Sequence, residues 1–237
     1  MKRTLFFFAL ISTTCLLASD VPSTGPQGVV ENYAAASGAQ NARLRGASME
    51  VEIEASLPKL KKQGRLHALR HISRLGRITY EAMVFEGDNS VKNNVIARYL
   101  AADTQAQASD LTSLAVTPAN YKFKYKGQLD QDGRQVHVFQ LTPRKKRVGL
   151  FKGELWLDAE TCLPVRESGR LVKVPSIFLR RIEFVREYDI REGLAIPRSI
   201  ASTVETRLVG KAELTVRFRN ISLAENSALS MAAGSAQ

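Results

Sequence analysis

The sequence predicts a mainly β (α+β) protein: a large curved antiparallel sheet, an incomplete β-barrel with helices covering its concave side. Three observations predict it. The second half of the 237-residue chain reads as strand after strand joined by short turns, an early segment alternates apolar and acidic residues without a break, and only two stretches carry helical spacing. A flat sheet of roughly nine or ten long strands would curl or close, because twist accumulates from strand to strand. The inner face of such a sheet needs an apolar cover. The two helices can supply it, and whatever space they leave is a candidate ligand cavity.

Val29 to Ser37 (VVENYAAAS) has helical composition, with Val30, Tyr33 and Ala34 on one face and Gly38 placed to end the helix. Met49, Val51, Ile53, Ala55 and Leu57 alternate with Glu50, Glu52, Glu54 and Ser56, a period of two that predicts a strand stopped by Pro58. Residues 64–73 and 76–85 are the next two strands, with Gly64 and Gly76 marking bends or bulges. Residues 87–90 form a turn or cap before a helix over 91–102, whose stripe is Val91, Val95, Tyr99 and Ala102. Residues 103–120 are small and polar and read as a surface loop.

From Tyr121 the pattern is β throughout. Asp132-Gly133 separates the strand that opens Tyr121-Lys-Phe-Lys-Tyr125 from Arg134 to Thr142, a hairpin signal. Phe151 to Asp158 and Leu163 to Val174 flank the turn Ala159-Glu160-Thr161, and Ile182, Phe184, Tyr188 and Ile190 share one face of the next strand. Glu192-Gly193 and Val209-Gly210 turn the chain into Ala195 to Glu205 and Lys211 to Ile221.

The first nineteen residues have the layout of a secretory signal peptide. Lys2 and Arg3 precede an apolar stretch from Thr4 to Ala18, and small residues Ala18 and Ser19 come before a Pro/Ser/Gly-rich run. The alternative is an uncleaved anchor, for which the stretch is short. Cys15 raises acylation as a further route, but Ser12-Thr13-Thr14 before it lacks the usual leucine, and Leu16 and Leu17 follow it. The expected organisation is a signal peptide over 1–19, one domain over 20–223 and a flexible tail over 224–237, with the mature chain in the periplasm and working as a monomer. Without the leader's two basic residues the formal charge of +11 becomes +9. That balance suits an anionic membrane surface or acidic polymers, and export argues against nucleic acid as partner. Only Cys162 remains after cleavage, so no internal disulfide can form and the thiol reads as a structural one.

The order of these elements resembles the LolA/LolB-type lipoprotein-carrier superfamily and its periplasmic relatives over most of residues 29–221. The exported helix ending NYAAASG leads into strands, a helical interruption and a second run of strands. GELWLDAETCLPVRESGRLV (153–172) is the sharpest match: a strand ending Trp-x-Asp turns into one beginning Leu-Pro. The resemblance implies a half-barrel holding lipid or lipoprotein acyl chains, with an arginine that helps hold the helical lid, for which Arg77 stands in a comparable strand. This chain departs from the compact carriers in its basic charge and longer connections.

Catalytic and cofactor signatures are missing: no Gly-rich phosphate loop, nucleophile elbow or zinc-spaced cluster is present. His67 and His71 would lie about 13 Å apart along a strand and lack further ligands. The chain is therefore expected to be non-enzymatic, with no cofactor and no metal. Tyr80, Phe85, Phe139, Trp156, Phe178, Phe184, Tyr188 and Phe218 are expected on the inner face. The candidate ligand-binding set is Tyr80, Met83, Phe85, Tyr99, Phe139, Trp156, Phe184 and Tyr188. Arg144, Lys145, Lys146 and Arg147 form the one sharp charge cluster. Either it is a solvated loop protecting a sheet edge, or it faces anionic headgroups with Leu150 and Phe151 dipping in.

Overall fold

A computed structural model describes residues 25–106, 111–207 and 210–223. The leader expected over 1–19 and the tail expected over 224–237 lie outside the described residues. Helix α1 (Pro26–Arg43) opens with proline in its first turn, where the missing N–H has no helical partner to lose, and buries Val29, Val30 and Tyr33. It does not end at Gly38 as the sequence suggests. A glycine inside a helix costs only about 1 kcal/mol relative to alanine, and contacts beyond it offset that. Gln40 Oε1 accepts from the Ala195 N–H at 3.1 Å, and Arg43 donates to the Glu192 carbonyl at 3.3 Å.

Ten strands follow: β1 (Ser48–Leu57), β2 (Lys62–Ile72), β3 (Ile78–Gly87), β4 (Tyr121–Gln131), β5 (Arg134–Pro143), β6 (Phe151–Asp158), β7 (Pro164–Leu171), β8 (Leu179–Arg191), β9 (Leu194–Thr206) and β10 (Lys211–Ser222). They form one antiparallel sheet in the order β3-β2-β1-β10-β9-β8-β7-β6-β5-β4, unclosed and curled into an open half-barrel. Neighbours in sequence are neighbours in the sheet except at one place. β10 returns to pair with β1, so β3 and β4 become the two free edges. The segment joining those edges therefore has to travel from one side of the sheet to the other.

That segment is helical. Helix α2 begins as Asn89–Val91, passes through a π-helical stretch Lys92–Ile96 and continues as Ala97–Ala106, and a short α3 (Leu111–Leu114) precedes β4. Asp88 caps it by accepting from the Ser90 N–H at 2.7 Å. The surface loop expected from residue 103 is thus helix up to 106. The π-turn lets Val91 and Ile96, five positions apart, both be buried on the sheet.

Two apolar cores divide the concave side. Beneath α1, Val29, Val30 and Tyr33 pack on Tyr121, Phe139, Leu141, Phe151, Leu155, Leu157 and Phe184. Beneath α2, Val91 and Ile96 pack on Val51, Ile53, Leu57, Leu66, Leu214 and Val216. Gly153 and Gly169 face each other on β6 and β7. A Cβ on Gly153 would stand 1.9 Å from the Ser168 carbonyl, and one on Gly169 would stand 2.7 Å from the Phe151 ring. Their bareness lets the Phe151 and Phe184 rings meet edge to face, 4.9 Å apart.

The convex face is a charge ladder. Glu54 bonds Arg65 at 2.6 Å and Arg217 at 2.8 Å, while Glu52 lies 3.4 Å from Arg219 and 3.5 Å from Arg65. Glu52 and Glu54 of β1 are thus neutralised by arginines on the neighbouring strands, and Glu50 accepts from the Asn220 amide at 2.8 Å. Both free edges are broken by bulges, at Ala82 (φ 48°) in β3 and at Gly127 (φ 134°) in β4, and exposed Lys122, Lys124 and Lys126 line the latter edge. Those are the usual defences of an unpaired strand.

Candidate functional site

Between the two helices and the sheet lies a cavity of about 1270 Å³. It exceeds the roughly 300–1,000 Å³ of common small-molecule sites. Its walls are mostly apolar: Met49, Leu57, Leu171, Ile182, Val204 and Leu214 from the sheet, Val95 and Ala102 from α2, Ala36 from α1 and Leu114 from α3. Strand alternation places these residues. On β1, β10, β9 and β8 every second side chain points inward, and the register aligns Ala55, Leu214, Ser202 and Phe184 across four strands.

Two ion pairs stand inside this lining. Arg70, on the inward parity of β2, is 3.0 Å from Asp103 of α2, and the Tyr80 hydroxyl donates to the same carboxylate at 2.7 Å. The triad ties the far end of α2 to β2 and β3. Burial alone would lower the Arg70 pKa, but Asp103 beside it holds the guanidinium above its ordinary value, so it stays charged. On the other side Arg186 of β8 lies 3.2 Å from Glu167 of β7 and stacks over the Phe184 ring at 4.7 Å. Tyr33 stands near Glu167. Burial, with Glu167 adding to it, pushes its hydroxyl well above the usual phenol range.

Of the sequence-predicted residues, the cavity gathers Tyr99, Phe184 and Tyr188. The others stand elsewhere. Tyr80 is committed to Asp103. Phe85 packs against the core beneath α2 with the Lys92 ammonium 5.1 Å above its ring, and Phe139 is fully enclosed beneath α1. Met83 is exposed just past the β3 bulge. Trp156 lies on the opposite face from Leu155 and Leu157, its indole N–H donating to Glu154 at 3.1 Å and Arg166 lying 4.8 Å over the ring. Of the remaining aromatics expected inside, Phe218 packs beside Arg70, whose guanidinium is 6.0 Å from the ring centre, whereas Phe178 is exposed at the cavity rim.

Arg144, Lys145, Lys146 and Arg147 are all exposed in the β5–β6 loop, with Arg144 Nε donating to the Pro118 carbonyl at 2.8 Å. Leu150 and Phe151, expected to dip from that loop, are core residues instead. The exposed apolar tips at this end of the sheet are Leu60, Val148, Ile177 and Phe178, the third with 78 % of its surface accessible. Arg77, the position offered for the lid arginine, is exposed beside the β2–β3 turn, and Arg70 is the arginine that holds the helix.

His71 is 3.5 Å from Glu81, and among the described residues no three potential ligands converge on a metal position. Cys162 is buried and unpaired at the β6–β7 turn, in the left-handed region (φ 56°). Sequence reading missed both ion pairs, although a signal existed. Arg70 shares the parity of Leu66 and Ala68, and Arg186 that of Ile182 and Phe184. A charge on the apolar parity of a strand marks a polar spot inside.

No family model matches the sequence, and neither does any curated protein. The chain is similar in structure to a LolA superfamily protein from Nitrosomonas europaea, with 15% identity over 83% of this chain and 92% of that one at a TM-score of 0.41. It is also similar to a domain assigned to outer membrane lipoprotein sorting from Vibrio parahaemolyticus, with 11% identity, 81% and 91% coverage and a TM-score of 0.43. A third similar structure is the MucA/MucB complex of Pseudomonas aeruginosa, with 13% identity, 81% and 99% coverage and a TM-score of 0.26.

Proposed function

We propose that the protein is a non-enzymatic periplasmic binding protein that holds lipid or lipoprotein acyl chains between α1, α2 and the sheet. The observation that carries this reading is the cavity itself, about 1270 Å³ enclosed largely by aliphatic and aromatic side chains. Each methylene transferred from water to such walls contributes about 0.8 kcal/mol, so a chain of ordinary length supplies ample affinity. Tyr99, Phe184 and Tyr188 remain in the proposed ligand-binding set, joined by Met49, Ile182 and Leu214. The domain is taken as 20–223, released by cleavage of 1–19 and followed by a flexible tail.

The same reading gives the exposed loops a task. One end of the sheet carries Lys59 and Lys61 from the β1–β2 turn, Arg144 to Arg147 from the β5–β6 loop, Lys173 from the β7–β8 connection and Arg180 from the start of β8, all exposed. Leu60, Val148, Ile177 and Phe178 protrude among them, and Phe178 also lines the cavity. Basic side chains around apolar tips suit an anionic bilayer surface. Docked there, the cavity mouth would face the lipids it is to exchange.

Titration of the mature chain with a fluorescent acyl probe should give saturable binding. Co-sedimentation with anionic vesicles should fall when Arg144 to Arg147 are replaced by serine, most visibly at low salt, where screening is least. A second reading is a structural or regulatory envelope protein of the same fold acting through a protein-binding surface. The observation in its favour is the two edge strands β3 and β4, each with one free edge, with Met83 and Val84 exposed on the former. A chain that binds no acyl probe at any concentration leaves that second reading in possession.

A further inference from the structure

The cavity carries more positive charge than an acyl-chain site requires. Among the described residues lining it, Arg45, Arg70, Arg98 and Arg186 stand against only Asp103 and Glu167. The Arg70–Asp103 pair is enclosed on both sides, with 11% and 23% of the two side chains accessible. The Arg186–Glu167 pair is lopsided, with 46% of the arginine accessible and only 8% of the carboxylate. Glu167 is thus covered and engages one Nη of Arg186 at 3.2 Å, while the rest of the guanidinium looks into the cavity.

An arginine has five N–H donors and cannot shed its charge. Glu167 balances the charge of Arg186, but filling the cavity with hydrocarbon would strip water from the donors that remain, at a cost of about 1–3 kcal/mol for each one left unsatisfied. A ligand with an anionic end removes that cost and replaces it with charge-assisted hydrogen bonds. The polarity of the walls changes along the cavity on either side of Arg186. Toward the β7–β8 connection the lining is Phe184, Ile182, Val204, Leu171 and Leu179, with Ser202 and Thr206 the hydroxyls among them, and the seven residues from Arg186 to Leu179 span roughly 23 Å at strand rise. In the other direction Gln40, Asn41 and Arg45 stand with Tyr188 among apolar Met49, Ile72 and Pro197, and the buried Gln40 amide nitrogen has no partner among the described residues. Burial pushes the Tyr99 and Tyr188 hydroxyls above the usual phenol range, so both remain protonated donors beside Arg186.

We propose that the cavity selects an anionic amphiphile, an acyl chain ending in a carboxylate or phosphate, whose headgroup is held by Arg186 and whose tail lies toward the β7–β8 connection. This rests on the acyl-chain reading above and names its ligand class. The test is dye displacement with hexadecanoate, hexadecyl phosphate, hexadecanol and methyl hexadecanoate, which share one chain length. The wild-type protein should bind the anions about tenfold or more tighter than the alcohol and ester, the scale of a hydrogen bond to a charged group. The ratio of carboxylate to phosphate affinity identifies the source of the headgroup, and either preference supports the proposal.

Arg186→Met should abolish the preference by weakening the anions alone, leaving the ester within about twofold. Should that variant fail to fold with Glu167 left buried and unpaired, Arg186→Met combined with Glu167→Gln removes both charges, and the same loss is expected. Equal affinity for anions and ester in the wild type, or a preference that survives removal of Arg186, overturns the anionic-headgroup proposal while leaving acyl-chain binding intact. Failure of all four probes to displace the dye overturns both.

Discussion

The two halves of the concave side are built differently. The half beneath α1 is aromatic-rich: Tyr121, Phe139, Phe151 and Phe184 interlock with α1 through Val29, Val30 and Tyr33. The fully buried side chains beneath α2 are aliphatic, with Tyr80, Phe85, Tyr99 and Phe218 at their margin, and α2 is fastened at two places: by Val91 and Ile96 near its start and by the Arg70–Asp103–Tyr80 cluster near its end. Between those fastenings Val95 and Tyr99 pack against the margin of that core and also line the cavity, as does Ala102. Both helices line the cavity, α1 through Ala36 and Gln40. The polar latch at the end of α2 leads us to expect that α2 opens separately from the rest of the fold.

Core truncation should expose the contrast most strongly. Phe139→Ala in the α1 half is expected to cost about 3–5 kcal/mol and to lower the single unfolding midpoint. Ile96→Ala removes a comparably enclosed side chain beneath α2, yet should lower the global midpoint less while speeding amide exchange across residues 89–106. Equal midpoint losses, with no selective exchange in α2, would mean that the two halves form one unit.

Acid should separate the halves next. Burial by itself would raise the Asp158 pKa, but hydrogen bonds from the Thr161 side chain and backbone and the charge of Arg134 hold it below the usual carboxylate range. Glu54 is lowered as well, chiefly by its hydrogen bond to Arg217. Both folded pKa values are depressed, so their stabilisation is fully present above the unfolded values of about 3.9–4.3 and is lost as pH falls through the folded ones. The melting temperature should be flat from pH 8 to about 5 and fall below about 4. Asp158 is enclosed, with 7% of its side chain accessible, whereas Glu54 keeps 35%, so protonation should loosen the β6–β7 turn more than the β1 ladder. Amide exchange at residues 159–163 against pH reads this directly.

The smallest effect expected is a gain. Gly38 lies in the interior of α1, and a Cβ there would meet nothing within 4 Å. Gly38→Ala should stabilise the protein by roughly 0.5–1 kcal/mol through a less flexible unfolded chain and better helix propensity. A loss instead would show that α1 relies on bending at that point.

Much of this architecture was legible in the sequence. The β1 alternation, the Asp132-Gly133 and Glu192-Gly193 hairpins and the Asp88 cap all depend on neighbours a few residues apart, and each stands where the pattern put it. Trp156 shows where legibility stopped. Its strand is apolar on both parities, so nothing local tells which face turns inward, and the ring lies outside between Glu154 and Arg166. Leu150 and Phe151 followed a basic loop and read as its tip, but the β6–β7 pairing opposite Leu171 draws them into the core.

By itself the sequence determined the run of strands, the two long helices and the basic charge, while the short α3 fell in a stretch that reads as loop. Local propensities and periodicity act over short stretches of chain, so they are written into it directly. Only the tertiary structure decided that β10 closes on β1, that β3 and β4 are left as edges, and that Arg70 and Arg186 line one cavity. Those facts depend on pairings between residues more than a hundred positions apart, such as Val51 with Phe218. Such pairs are selected by the summed burial of a whole curled sheet, which no single stretch of sequence encodes.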